Sequence, residues 1–373
     1  MKCLKTAVDS VKDNGWWLFM RWVRSGVIVL LAMCLLGFTG ASNLDEINEL
    51  KRTTELKVAL LYAGPIGDHG YTYEGHMGAA KMAKKLPYVN LSERENAAGP
   101  NTSQIMREYA DDGYKVIFCH GEEFADAIRE VAPDYSDTIF VLEDNQDPEK
   151  LAINAGSYFV ESYEVQYLMG LVAGKMTKAN KIAFINSIPQ AETAIYADAF
   201  ARGVASANPE AKVYVSWIGS WYDPPKEKQA SLSLINEGCD IITHTTDSDA
   251  VGEAAEETGT YYLSYGSNTA RFFPHVFLTG FIYNWEPVMT DIVESVHNGT
   301  WASHLKHEWW YGLAEDGAEL APFSYLVPSD VRVLVEAKQK AIMQKELAIF
   351  PGMSDEDRQK AYYLEPNVVG DLP

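Results

Sequence analysis

From Lys57 onward, short apolar runs alternate with segments of helical period, and no other property of the chain restricts its fold as much. The runs Lys57–Tyr62, Val116–Cys119, Thr138–Leu142, Ile153–Ser157, Lys181–Asn186, Val213–Trp217, Asp240–His244, Tyr261–Ser264 and Val276–Gly280 read as strands. Between them, Tyr73–Lys85, Ser103–Asp112, Phe124–Val131, Ser162–Thr177, Ala191–Asn208, Pro225–Glu237 and Ala250–Thr258 read as helices. Two further helices are expected over Trp285–Asn298 and Ser329–Glu346. Strands spaced by helices of about ten or more residues form βαβ units, because a parallel neighbour is reached only by a crossover. At about 150 residues per domain, 373 residues predict two such units: an α/β protein of two doubly wound lobes. Asn145-Gln146-Asp147-Pro148 and the stretch from Ser157 to Glu164 mark the boundary between them.

The formal net charge of −21 argues against a nucleic-acid partner, since phosphate must be met by basic surface. One strongly apolar segment, Gly26–Phe38, follows Arg21 and Arg24 and precedes the small residues Thr39-Gly40-Ala41-Ser42. At about 13 residues it is short for a membrane span and suits a secretory signal, so residues 1–41 are expected to be a leader. Met20-Arg21-Trp22-Val23-Arg24 makes a more usual start for such a leader than Met1. Leu31-Ala32-Met33-Cys34 is similar to a lipoprotein box, but Met33 replaces the customary small residue and Leu35-Leu36 continue the apolar run. Cys34 is therefore either a lipid anchor or part of the signal core, and a membrane surface is a partner only through leader or lipid. The two remaining downstream cysteines, Cys119 and Cys239, flank apolar runs far apart in sequence and are expected as buried free thiols.

Chemistry concentrates where strands end. The run Val58-Ala59-Leu60-Leu61-Tyr62 stops at Ala63-Gly64-Pro65-Ile66-Gly67-Asp68-His69-Gly70 and restarts as a helix at Tyr71-Thr72-Tyr73. In open α/β sheets ligands lie beyond the carboxyl ends of strands, so this turn is a place where a small molecule is gripped. The matching turn after Val213–Trp217 reads Gly219-Ser220-Trp221-Tyr222-Asp223-Pro224-Pro225-Lys226. An aromatic ring from each lobe, Tyr71 and Trp221, can sandwich a flat ligand, with stacking worth about 1–3 kcal/mol per base; the alternative is that each packs under its own loop. Side chains at these and other strand ends supply specificity: Asp68 and Tyr73 at the first turn, Glu122 and Phe124 after Cys119-His120, and Tyr222 beside Trp221. Asp247, within Thr245-Thr246-Asp247-Ser248, Asn268, Asn284 and Trp285 complete the expected set. Capping of the following helix competes with ligand contact for Asp247 and Ser248. Carboxylates and amides suit a heterocycle edge bearing N–H donors and ring-nitrogen acceptors.

Signatures of catalysis are missing: no HExxH, no P-loop lysine, no G-x-S-x-G, and Gly64, Gly67 and Gly70 are not spaced as a dinucleotide fingerprint. His297, His304 and His307 lie in a polar surface-like stretch and read as solvated rather than as metal ligands. Neither an enzyme nor a cofactor or metal is expected.

Several stretches taken in order resemble the basic membrane protein (BMP) family of ABC-transporter substrate-binding proteins. They are GPIGDHGYTYEGHMGAAKMA, YLMGLVAGKMTKANKIAFI, SWIGSWYDPPKEKQAS, IITHTTDSDAVGEAAEE, TGFIYNWEPV and GTW, spanning about Lys57 to Gly352. The resemblance implies a type I periplasmic-binding-protein fold with the ligand between lobes. Its expected limits are residues 55–160 plus 283–312 for the first lobe, 161–282 plus 313–350 for the second, and a tail over 351–373. It also implies a purine base or nucleoside as ligand, an ABC-transporter permease as partner and an extracytoplasmic location. Family aromatics match Tyr71 and Trp221. A ribose-binding aspartate and a lysine match near Asn268 and near Tyr283 or Asn284, so the ribose clamp is missing and adenine is the expected ligand. A sugar or peptide binder of the same fold, or a sensor feeding a membrane receptor, remains an alternative.

Overall fold

Val58 to Tyr62 are fully buried without a polar interruption, the pattern of a strand covered on both faces. The computed structural model describes residues 55–68, 70–143, 151–301, 309–353 and 367–370. The leader, Cys34, the Asn145–Pro148 turn, His304, His307 and most of the tail lie outside them. From Leu56 the chain forms one unit built on two sheets. The first has the spatial order β11 (Trp309–Tyr311), β5 (Ala155–Val160), β4 (Ile139–Glu143), β3 (Val116–His120), β1 (Leu56–Tyr62) and β2 (Val89–Arg94), and all its pairings are parallel.

The second sheet runs β12 (Ala318–Leu320), β10 (Phe277–Tyr283), β9 (Tyr261–Ser264), β8 (Ile241–His244), β6 (Lys181–Asn186), β7 (Lys212–Trp217) and β13 (Val368–Val369). It is parallel except where β12 returns against β10. Helices cross over between strands: α1 (Tyr71–Lys85), α2 (Thr102–Asp111) and α3 (Ala125–Val131) in the first half, then α4 (Tyr163–Met176), α5 (Ala191–Ala207), α6 (Pro224–Asn236) and α7 (Ala250–Thr258). Late in the chain α8 (Glu286–His297) packs on α1, β11 joins the first sheet, and α9 (Ser329–Met343) packs on α4. The chain thus passes between the two lobes more than once, which ties them together.

Helix α4 is buried from Val165 to Gly174, and the small residues of its Gly-x-x-x-Gly stretch let α5 approach backbone to backbone. A Cβ on Gly170 would stand 2.1 Å from the Phe200 carbonyl oxygen, and one on Gly203 would stand 2.0 Å from that of Tyr167. Cys119 and Cys239 are buried and unpaired.

Four strands escape the sequence pattern. β2 reads Val-Asn-Leu-Ser-Glu-Arg and is a half-buried edge strand, while β11, β12 and β13 are three residues or fewer. Segments as short as the last three carry no readable period, and only pairing with a neighbour makes them strands. β13 places part of the tail on the second sheet, where the Asn367 amide donates to the Ala201 carbonyl at 2.9 Å.

Candidate ligand-binding cleft

The carboxyl ends of β1, β3 and β4 face those of β6, β7 and β8 across a cleft of about 840 Å³. From the first lobe it is lined by the 63–67 turn, Tyr71, Thr72, the His120–Glu123 turn, Glu143 and Phe159. From the second come Gln190, Glu192, Trp221, Tyr222, Asp247, Ser248, Asp249, Glu253, Tyr265 and Tyr283. The lobes also touch directly: a Cβ on Gly70 would lie 3.4 Å from the Asp247 carbonyl oxygen.

The floor is aromatic. Tyr71, the first residue of α1, stacks on His120 with ring centroids 4.3 Å apart and 17° between planes. Behind them stands Trp285, fully buried, edge-on to Tyr71 at 5.8 Å and to His120 at 4.8 Å, and stacked on Tyr283 at 5.1 Å. The glycine at position 78 admits it, since a Cβ there would meet the Trp285 Cβ at 2.5 Å. The Tyr265 and Tyr283 hydroxyls share a hydrogen bond of 2.6 Å, and burial pushes both phenols far above their usual range. Burial, with the nearby Glu143 carboxylate adding to it, does the same to Tyr71. His120 Nδ1 is 2.8 Å from the Tyr158 hydroxyl, and burial pushes the imidazole down to about 3, so it is neutral. These rings present a rigid apolar wall whose hydroxyls remain protonated.

The rim is acidic. Glu122, Glu123, Glu143, Glu192, Asp247, Asp249 and Glu253 line the cleft, while no lysine or arginine does among the described residues. Burial, and then the Glu123 charge, raises the Glu122 carboxyl. Such a lining accepts hydrogen bonds and repels anions.

Trp221 is half-buried at the mouth, and its carbonyl accepts a 2.8 Å hydrogen bond from the Asp247 amide. Asp223 caps α6, accepting from the Lys226 amide at 3.2 Å and pairing with Lys226 Nζ at 2.8 Å. Of the residues singled out by sequence, Tyr71, Glu122, Trp221, Tyr222 and Asp247 line the cleft, with Tyr222 exposed at its edge. Trp285 lies behind the wall, and Tyr73 sits on the first turn of α1 outside the lining. The Asp68 side chain is outside the described residues. Phe124 is instead in the first lobe's core with Ile128 and Val131, because its spacing from them puts all three on one helical face. Asn268 is exposed and its side-chain oxygen accepts from the Ala270 amide at 3.1 Å. Asn284 donates to the Asp316 carbonyl at 2.8 Å, so Asn268 serves a local turn, Asn284 ties β10's end to the segment before β12, and both lie away from the lining.

His120, Glu143, Gln190, Glu192, Tyr265 and Tyr283 line the cleft without having been singled out. A signal existed for each: all lie at or just beyond a strand's carboxyl end, as do the residues that were chosen.

Residues 55–351 match the family described as "ABC transporter substrate-binding protein PnrA-like" (Bmp). A purine-binding protein of Brucella abortus (strain 2308) is 33% identical over 328 residues, covering 87% of this chain and 89% of that one. A putative ABC transporter glucose-binding protein of Haloferax volcanii is 27% identical over 310 residues, covering 83% and 78% respectively. An ABC-transporter solute-binding protein of Conexibacter woesei superposes with a TM-score of 0.67 at 22% identity, covering 79% of this chain and 98% of its own. That likeness shows the fold, the two-lobed α/β architecture of periplasmic substrate-binding proteins. The extent of the family match and the identity to the Brucella protein place the chain: it belongs to the Bmp family of PnrA-like ABC-transporter substrate-binding proteins.

Proposed function

We propose that the protein captures a free purine base, adenine first, between Tyr71 and Trp221 and delivers it to an ABC-transporter permease outside the cytoplasmic membrane. The observation that carries this reading is an aromatic ring from each lobe on one cleft whose rim holds carboxylates and no cation. A purine offers two π-faces for the rings and N–H or amino donors for the carboxylates. The purine-binding relative in Brucella abortus supports the ligand class. No lysine lines the cleft and Asn268 and Asn284 lie off it, which favours the bare base over its nucleoside. Closure of the lobes would shrink the wide cleft around so small a ligand and form the face that meets the permease. Residues 1–41 serve export in this reading.

A hexose is the second reading, favoured by carboxylates such as Glu192 and Asp247 beside an aromatic ring and by the name of the Haloferax volcanii relative. Calorimetric titration with adenine, hypoxanthine, guanine, adenosine and glucose separates these. Adenine binding tighter than adenosine is the expected result. Tighter adenosine overturns the bare-base reading, and binding of glucose alone replaces purine with sugar.

A further inference from the structure

We propose that Glu227, which does not line the cleft, is a positioning residue that holds Trp221 and Asp247 in their ligand-gripping geometry. Glu227 is fully buried in α6. Its Oε1 accepts from the Asp223 amide at 2.9 Å, closing the start of its own helix. Its Oε2 reaches the loop after β8, accepting from the Thr246 hydroxyl at 2.8 Å and the Ser248 hydroxyl at 2.5 Å. The residue between those two hydroxyls is Asp247, whose amide donates to the Trp221 carbonyl at 2.8 Å. One carboxylate therefore fastens two separate loops, one carrying Trp221 and the other Asp247, and a backbone bond joins them across the top.

A helix cap alone does not explain this arrangement, since closing the helix start uses only Oε1 and accounts neither for the two bonds to Oε2 nor for the full burial of the side chain. Burying a carboxylate is costly unless it is hydrogen-bonded, and here one backbone and two hydroxyl donors surround it. Removing it leaves the Thr246 and Ser248 hydroxyls and the Asp223 amide without their acceptor and frees both loops. Glutamine has the same shape: its oxygen keeps the Asp223 amide, and its NH₂ donates to hydroxyls that rotate to accept.

The affinity part of the inference rests on the purine reading; the loop part does not. The test compares Glu227→Ala, Glu227→Gln and Asp240→Ala. Asp240 is a comparable acceptor of the second lobe, bonded to the Thr177 hydroxyl and the Lys178 and Ala179 amides, but at the opposite end of β8. Hydrogen exchange over 219–223 and 245–249 is measured on the ligand-free protein, and adenine affinity by calorimetry. Glu227→Ala is expected to speed exchange in both loops and weaken adenine at least tenfold, with Glu227→Gln within threefold of wild type. Asp240→Ala is expected to lower the melting temperature while leaving loop exchange and adenine affinity unchanged. Wild-type exchange in both loops of Glu227→Ala overturns the proposal, as does an equal loss of affinity in Asp240→Ala. If wild type ignores adenine, the purine reading fails and the exchange comparison still decides the role of Glu227. If Glu227→Ala does not fold, Thr246→Val removes one strut, and unchanged exchange over 245–249 in that variant overturns the proposal.

Discussion

Tyr71 and Trp221 do unequal work, because their surroundings differ. Tyr71 is clamped between His120, Tyr283 and Trp285, so its ring is already fixed in the free protein, whereas Trp221 stands half-buried on a loop. A fixed ring loses little entropy when a ligand stacks on it; a looser one must be ordered. Replacing Trp221 by Ala is expected to weaken adenine about tenfold to a hundredfold, the loss of one stacking partner, as read by calorimetry. Tyr71→Phe keeps the ring and is expected to bind within about threefold of wild type, while Tyr71→Ala loses at least about tenfold. Equal losses in the Phe and Ala variants would instead assign Tyr71's part to its hydroxyl.

At the level of elements, the second lobe depends on how closely α4 and α5 approach. Gly170 and Gly203 meet the facing helix backbone at distances that no Cβ can share. Gly203→Ala is therefore expected to cost about 1–3 kcal/mol by overpacking, read as a drop in the denaturation midpoint, with no change in ligand preference. Strand β3 and the turn after it show how far sequence reaches at this scale. The apolar run Val116–Cys119 announced the strand, and position at a strand end drew attention to the turn. Phe124 nonetheless points into the core and His120 lies on the cleft. Phe124 follows the helical spacing it shares with Ile128 and Val131, whereas for His120 alternation along a strand buried on both faces does not say which face meets the ligand.

For the whole molecule, charge is the strongest filter. A cleft with seven carboxylates and no cation among its described lining should refuse anions. AMP is expected to bind at least about 100-fold more weakly than adenine at low ionic strength, with the gap narrowing as salt is added. Stability should also fall with pH. His120 and His244 are held neutral by burial, at about 3 and about 4, against about 6.5 in the unfolded chain. Between those values the unfolded state binds more protons, so stability is full above about pH 6.5 and declines as pH drops, by at most about 1.4 kcal/mol per pH unit for each histidine. Melting curves from pH 7 to 5 check this, and His120→Asn, which keeps a partner for Tyr158, should flatten the slope. By itself the sequence determined the order of the helices and of the nine strands from β1 and β3 to β10, and placed aromatic and acidic residues at strand ends, because periodicity and turn chemistry act between near neighbours. Only the tertiary structure decided that Glu143, Gln190 and Glu192 join the cleft, that Asn268 and Asn284 stay off it, and that Trp285 backs its wall, because those outcomes depend on which loops of two lobes face each other, a relation among residues far apart along the chain.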